Sequence, residues 1–268
     1  MTETPMTPRP AATVMLLRDT SVGLKVFLLQ RHSGMEFAPG TTVFPGGGVD
    51  DRDRNADLDW TGPEPAWWGH RMGVDEDLAL ALVCTAARET FEECGVLLAG
   101  PADGGTAIVG DASVYHGARA ELASRALSFS DFLRRERLVL RADLLRPWAN
   151  WVTPAKGHRR RYDTYFFVAA LPHGQHADGQ TSEAAAAGWA TPAAAIEDFT
   201  AGRSFLLPPT WTQLDTLTQF GGTVDEILAV EREIVAMHTE VIGTEGNWSI
   251  DFFDSERYER ARRGRPWS

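Results

Sequence analysis

Glutamates 89, 92 and 93 constrain this chain more than any other feature. They lie within Glu76 to Cys94, where Leu80, Val83, Ala87, Phe91 and Cys94 recur at spacings of three and four, the period of one helical stripe. Positions i, i+3 and i+4 share a helical face, so the three carboxylates project together. Like charges so placed repel by some tenths of a kcal/mol per pair, and they sit near a helix C-terminus, where the dipole disfavours anions. Gly95 supplies the stop. Three glutamates alone are compatible with a solvated acidic face. An apolar stripe behind them says that the helix is packed, and clustered oxygen ligands suit Mg²⁺ or Mn²⁺.

A glycine-rich run upstream, Phe44-Pro-Gly-Gly-Gly-Val-Asp50, reads as a turn whose backbone can approach phosphate or metal. Before it, Ala12 to Arg18 and Leu24 to Arg31 read as a strand pair across Ser21-Val-Gly23, and Thr42 to Phe44 as a short strand. Residues 51–75 have no clear period and read as an excursion. Residues 112–140 read as two amphipathic helices, with Val96 to Leu98, Trp148 to Thr153, Tyr162 to Leu171 and Ala184 to Ala190 extended. Helices are expected near 192–201, 209–220 and 223–238. Interspersed strands and helices place the chain in the α/β (α+β) class, as a mixed β-sheet sandwiched between helices with helical insertions.

Net charge is −11 over 268 residues, which opposes broad binding to nucleic acid or to an anionic membrane surface. A small anionic ligand is still accessible through metal ions held on carboxylates. No apolar run reaches the ~18–20 residues that span a bilayer. Met1 to Ala12 lacks the blocks of a signal peptide. Cys84 and Cys94 fall on one helix roughly 15 Å apart, beyond disulfide reach. A reducing, cytoplasmic setting is therefore expected. The motif G-x-S-x-G is absent, the seven histidines lack metal-ligand spacing, and the nine tryptophans read mainly as core.

Arg88-Glu89-x-x-Glu92-Glu93-x-Gly95-Val96 resembles the second half of the Nudix box, G-x5-E-x7-R-E-U-x-E-E-x-G-U, where U is aliphatic, and the Phe44–Asp50 run resembles its start. Gly47 and Arg88 are 41 positions apart where the pattern has 14, so about 27 residues are inserted. Such a split box is similar to the nineteenth-type Nudix branch, which includes coenzyme A diphosphatases. Trp151-Val-Thr-Pro154, Arg161-Tyr-Asp-Thr164 and Leu207-Pro-Pro209 also resemble that branch. Counting back eight from Arg88, the mid-box acid is replaced by Leu80, and Thr90 takes an aliphatic place. The resemblance implies a Nudix domain over 12–222 with insertions at about 51–75 and 100–145, after a flexible 1–11 and before a helical C-terminal extension, 223–268, packed on the same domain.

It further implies metal-assisted attack of water on a diphosphate, with Mg²⁺ or Mn²⁺ held by Glu89, Glu92, Glu93 and the Gly46 carbonyl. Glu89 is the first candidate for general base and Glu183 the second. Arg88 is expected to orient the glutamates, within a substrate-binding set of Arg31, Arg88, Arg160 and Arg161. His158-Arg-Arg-Arg161 is a candidate clamp for an extra phosphate such as the 3′-phosphate of coenzyme A. Arg31, Gly40 and Phe44-Pro-Gly-Gly47 fit a motif associated with coenzyme A hydrolysis, from which His32 and Glu36 depart. The expected substrate is a small nucleotide derivative: coenzyme A or acyl-coenzyme A, giving 3′,5′-ADP and (acyl-)4′-phosphopantetheine. Alternatives are NADH, ADP-ribose or a sugar nucleotide, or a catalytically silent nucleotide sensor. Self-association as a homodimer is left open. The chain ends Arg265-Pro-Trp-Ser268 where animal members carry a peroxisomal tripeptide, in keeping with the cytoplasmic expectation.

Overall fold

A computed structural model describes residues 6–35, 38–54, 58–103, 105–156, 160–244 and 247–265. The chain opens with β1 (Arg9–Thr20), β2 (Gly23–Arg31), β3 (Thr42–Val43) and β4 (Gly46–Gly48). Next come α1 (Asp51–Arg54), β5 (Trp60–Thr61), α2 (Pro65–Met72) and α3 (Glu76–Cys94). The middle holds β6 (Ala99–Pro101), α4 (His116–Ala123), α5 (Phe129–Arg135), β7 (Leu138–Arg141), β8 (Leu145–Val152), β9 (Tyr162–Ala170) and β10 (Ala184–Ala190). The rest is α6 (Pro192–Thr200), α7 (Pro208–Phe220), α8 (Val224–Leu228), β11 (Ala236–His238), β12 (Glu240–Thr244), β13 (Asn247–Asp251) and α9 (Ser255–Arg262).

The main sheet runs β10-β2-β1-β9-β8-β11, with β3 joined to β2 and β4 to β1. It is mixed: β1 with β9 and β8 with β11 are parallel, the other pairs antiparallel. The two-residue alternation of β1 divides the molecule into two cores. Ala12, Val14 and Leu16 face α3 and Trp68, while Met15 and Leu17 face Phe199, Trp211, Leu214 and Tyr258 of α6, α7 and α9. The expected sheet between helical layers is the architecture observed.

Several local readings change. β1 starts at Arg9, because Arg9 to Ala11 pair with β9, so the loose start is shorter than expected. Gly46–Gly48 is a strand on β1 rather than a turn. The excursion 51–75 carries regular structure: α2 buries Trp68 completely, and Trp60–Thr61 pairs with β7. Leu138–Arg141 is that strand, not helix, so the two insertions share a three-stranded sheet, β5-β7-β6. The helix expected over 223–238 stops at Leu228. Val230 to Val235 form no helix, and β11 adds an edge to the main sheet. The C-terminal extension therefore contains a strand and the β12-β13 hairpin as well as helix.

Candidate active site

Helix α3 runs over the residues its periodicity marked, and both ends are capped. The Asp75 carboxylate accepts from the Leu78 N–H at 2.7 Å, and Gly95 takes a left-handed φ of 70°. The helix is buried more completely than one stripe implies, with Ala81 to Arg88 all buried. Its last two turns lie against β4, and the glycines of β4 serve this approach rather than a turn. A Cβ on Gly46 would lie 2.7 Å from Thr13 Cα, and one on Gly47 would lie 2.6 Å from Glu89 Cδ. Neither glycine has a positive φ. In this setting the Gly46 N–H donates to Glu93 Oε2 at 2.7 Å.

Arg88 organises the carboxylates. Its Nη1 donates to Glu89 at 2.8 Å and to Glu92 at 3.1 Å, and its Nη2 reaches the Gly48 carbonyl at 3.3 Å. On the other side Asp53, 2% exposed, accepts from Arg88 Nη2 at 2.9 Å and from Nε at 3.1 Å. Thr85 Oγ1 donates to the same carboxylate at 2.9 Å, and the Asp50 N–H at 3.2 Å. Asp53 is the functional residue that the sequence reading missed. Counted back from Arg88 the mid-box acid falls on Leu80; counted forward from Gly47 by the x5 spacing it falls on Asp53. The box is interrupted after its first acid, not before it.

Burial governs the electrostatics. Desolvation pushes the Glu89 carboxyl up to about 7, with Glu92 and Glu183 adding to the rise and Arg88 opposing it. Burial raises Glu93 well above the usual carboxylate range; the Glu89 charge adds to this and the Gly46 N–H opposes it. Glu92 is raised by burial against the pull of Arg88. Burial also disfavours charge on Arg88, but Glu89 and Asp53 outweigh it and keep the guanidinium protonated.

Of these groups Glu89 borders a cavity of about 1100 Å³, lined also by Gly46, Gly48, Arg31, Glu183 and Arg160, among others. Arg31 Nη1 lies 3.7 Å from Glu183, which precedes β10 where Ala184 pairs with Arg31. Glu92, Glu93 and Arg88 do not line the cavity. Arg88 is held by its bonds to Asp53, Glu89 and Glu92, in keeping with its expected part in orienting the glutamates. The Arg161 Nε donates to the Thr153 and Pro154 carbonyls at 3.1 Å and its Nη1 to the Met6 carbonyl at 2.6 Å. Glu36, His158 and Arg159 lie outside the described residues. Trp151, Phe166 and Leu207 form an apolar side of the cavity, joined by Thr239 and Ile250 from the C-terminal extension, which carries no local signal of such a role.

Carboxylate oxygens and a backbone carbonyl suit a hard divalent cation. A cation would also offset the burial and mutual repulsion that raise Glu89 and Glu93. Among the described residues no three acidic, His or Cys side chains stand together as a group that could hold a metal ion by themselves.

The model of the NUDT19 Nudix domain matches residues 68–217 of this chain. The human protein named acyl-coenzyme A diphosphatase NUDT19 is 30% identical over 243 residues, covering 76% of this chain and 63% of its own length. The Gallus gallus protein of the same name is 30% identical over 240 residues, covering 75% and 63%. The chain thus spans a little over three-fifths of the length of these relatives. A crystal structure of a Nudix hydrolase from Alicyclobacillus acidocaldarius is 25% identical, with a TM-score of 0.67, and covers 86% of this chain and 99% of its own. On the extent of the family match, together with a box whose acid, arginine and glutamate trio meet in space, the chain belongs to the Nudix family, in the branch defined by the NUDT19 Nudix domain.

Proposed function

We propose that this chain is a metal-dependent diphosphatase acting on coenzyme A or acyl-coenzyme A, releasing 3′,5′-ADP and (acyl-)4′-phosphopantetheine. The observation that carries this reading is the placement of Glu89 beside Gly47 at a cavity that is apolar on one side and rimmed by arginines on another. The names of the human and Gallus gallus relatives support the substrate class.

Glu89, Glu92 and Glu93, with the Gly46 carbonyl, would hold Mg²⁺ or Mn²⁺. What the cation supplies when bound is neutralisation of the diphosphate and acidification of the attacking water. Hydrolysis breaks one P–O bond of the anhydride. The water oxygen bonds to that phosphorus, and the bridging oxygen leaves with the other phosphate. Glu183, on the same cavity and outside the Arg88 network, is positioned to take the water proton; Glu89, bound by Arg88 and needed as a ligand, is less free to do so. Arg31, beside Glu183, is positioned to bind a diphosphate oxygen. Asp53 and Arg88 keep Glu89 and Glu92 in place.

Mass-spectrometric product analysis of the protein with Mn²⁺ or Mg²⁺ tests this, with Glu89→Gln and Glu183→Gln alongside. The expected result is 3′,5′-ADP and the phosphopantetheine fragment, both lost in Glu89→Gln, with the pH profile altered in Glu183→Gln. Turnover of NADH, ADP-ribose or a sugar nucleotide in place of the coenzymes would move the substrate. Metal-dependent turnover of none of these would refute the activity.

A further inference from the structure

Most arginines of this acidic chain are tied to carboxylates or carbonyls, but two that line the cavity are not. Among the described residues the guanidinium groups of Arg9 and Arg54 have no hydrogen-bond or ion-pair partner, and both are exposed at the cavity. A third, Arg125, also lines it. It pairs with Asp50 at 3.5 Å, and its side chain is 77% exposed. The backbone of Arg125 takes φ 60°, a conformation costly for a residue with a side chain, and Arg52 Nη1 holds its carbonyl at 3.1 Å.

The fold brings these residues to one end of the cavity. The Pro10 carbonyl accepts from the Val49 N–H at 3.0 Å, which sets Arg9 beside the exit of β4, where α1 begins and carries Arg54. Arg52 joins that helix to the Arg125 turn. Four arginines there, counting Arg52, face Asp50 and Asp51, so the end is net cationic in a chain of charge −11. Arg9 stands opposite Asp50, four positions along from Gly46 and roughly 13 Å at strand rise, a gap that an extended arginine side chain reaches back across in part.

We propose that Arg9, Arg54 and Arg125 form a subsite for a phosphate monoester on the substrate, separate from the diphosphate that is cleaved. This deepens and rests on the coenzyme A reading, in which that group is the ribose 3′-phosphate. It also gives the split box a role: Arg125 is delivered by the lobe that the insertions build, and Arg54 by the short helix at the interruption. Arginine suits the task, because its fork meets phosphate oxygens in pairs.

The test is the ratio of kcat/KM for coenzyme A to that for dephospho-coenzyme A, which lacks only this phosphate. It is measured on the full chain and on Arg54→Ala/Arg125→Ala with Mn²⁺, with circular dichroism melting to confirm folding. The wild type is expected to favour coenzyme A by about tenfold or more, and the variant to bring the ratio close to one, mainly through KM. A wild-type ratio near one, or a ratio unmoved in the variant, would overturn the subsite. If neither coenzyme is hydrolysed, the coenzyme A reading fails by itself, and equilibrium binding of 3′,5′-ADP against 5′-AMP decides the subsite. Tighter binding of 3′,5′-ADP that is lost in the variant supports it, and equal binding overturns it.

Discussion

Replacing Asp53 with Asn tests whether the interrupted box functions as a single unit. Both oxygens of the Asp53 carboxylate face donors. Oδ1 accepts from Arg88 Nε and faces the Cys84 thiol; Oδ2 accepts from Arg88 Nη2, Thr85 Oγ1 and the Asp50 N–H. Asn has nearly the same shape, yet either orientation turns its amide NH₂ toward one of these donor sets. Breaking a buried ion pair by removing one partner typically costs about 3–5 kcal/mol. Arg88 keeps Glu89 and Glu92 as counterions, which places this case near about 3 kcal/mol. For a domain of this size that lowers Tm by roughly 6–12 °C. Differential scanning calorimetry measures it, and Mn²⁺-dependent turnover well below the new Tm measures the functional part. Released from Asp53, Arg88 binds the glutamates more tightly, so kcat is expected to fall at least tenfold. A Tm drop under about 2 °C with kcat retained would refute the role given to Asp53.

The two β4 glycines are expected to separate stability from activity. Gly46→Ala meets the backbone of Ala12 and Thr13 and should cost about 2–3 kcal/mol in denaturant unfolding. Gly47→Ala meets only the movable Glu89 side chain, so turnover should be lost with little change in stability. Glu89 and Glu93 have folded-state pKa values above their unfolded ones, so the metal-free protein should lose stability as pH rises from about 4.5 through about 7. With chelator present, Tm should be higher near pH 5.5 than near pH 8, and Mn²⁺ should narrow the gap; a flat profile would contradict the burial argument. Asp50, held at about 2 by Arg52, acts oppositely, but its contribution is lost only as pH falls from 3.8 through about 2, outside that window. Cys84 and Cys94 are fully buried with thiols raised by desolvation, so a thiol reagent should label neither until denaturant is added.

The legible parts of this molecule are those whose signal is local. Helix α3 could be placed because its periodicity and Gly95 lie within twenty residues. Strands β1 and β2 could be placed because a short turn joins runs of apolar residues. Glu89, Glu92 and Glu93 were visible for the same reason, since a helix converts spacing into a shared face. What stayed hidden depends on distant partners. Gly46–Gly48 pairs as a strand only because β1 is beside it, and β11 exists only because β8 offers an edge. Arg161 and Arg160 are adjacent in sequence, yet Arg161 turns to the Met6, Thr153 and Pro154 carbonyls while Arg160 borders the cavity. Asp53 lay in the count all along, but the count was started from the wrong end.

The point of interruption has a thermodynamic consequence for how such a motif tolerates change. Widening the separation of Gly47 and Arg88 from 14 positions to 41 raises the entropic cost of closing that loop by only about 1 kcal/mol, because the cost grows with the logarithm of length. Removing one partner of the buried Asp53–Arg88 pair, which bridges the interruption, costs more than this, about 3 kcal/mol. The interruption is therefore a place where the motif tolerates added length. A module grafted there should leave the carboxylates in register as long as its own ends meet, so the box behaves as an arrangement in space rather than a string of fixed length.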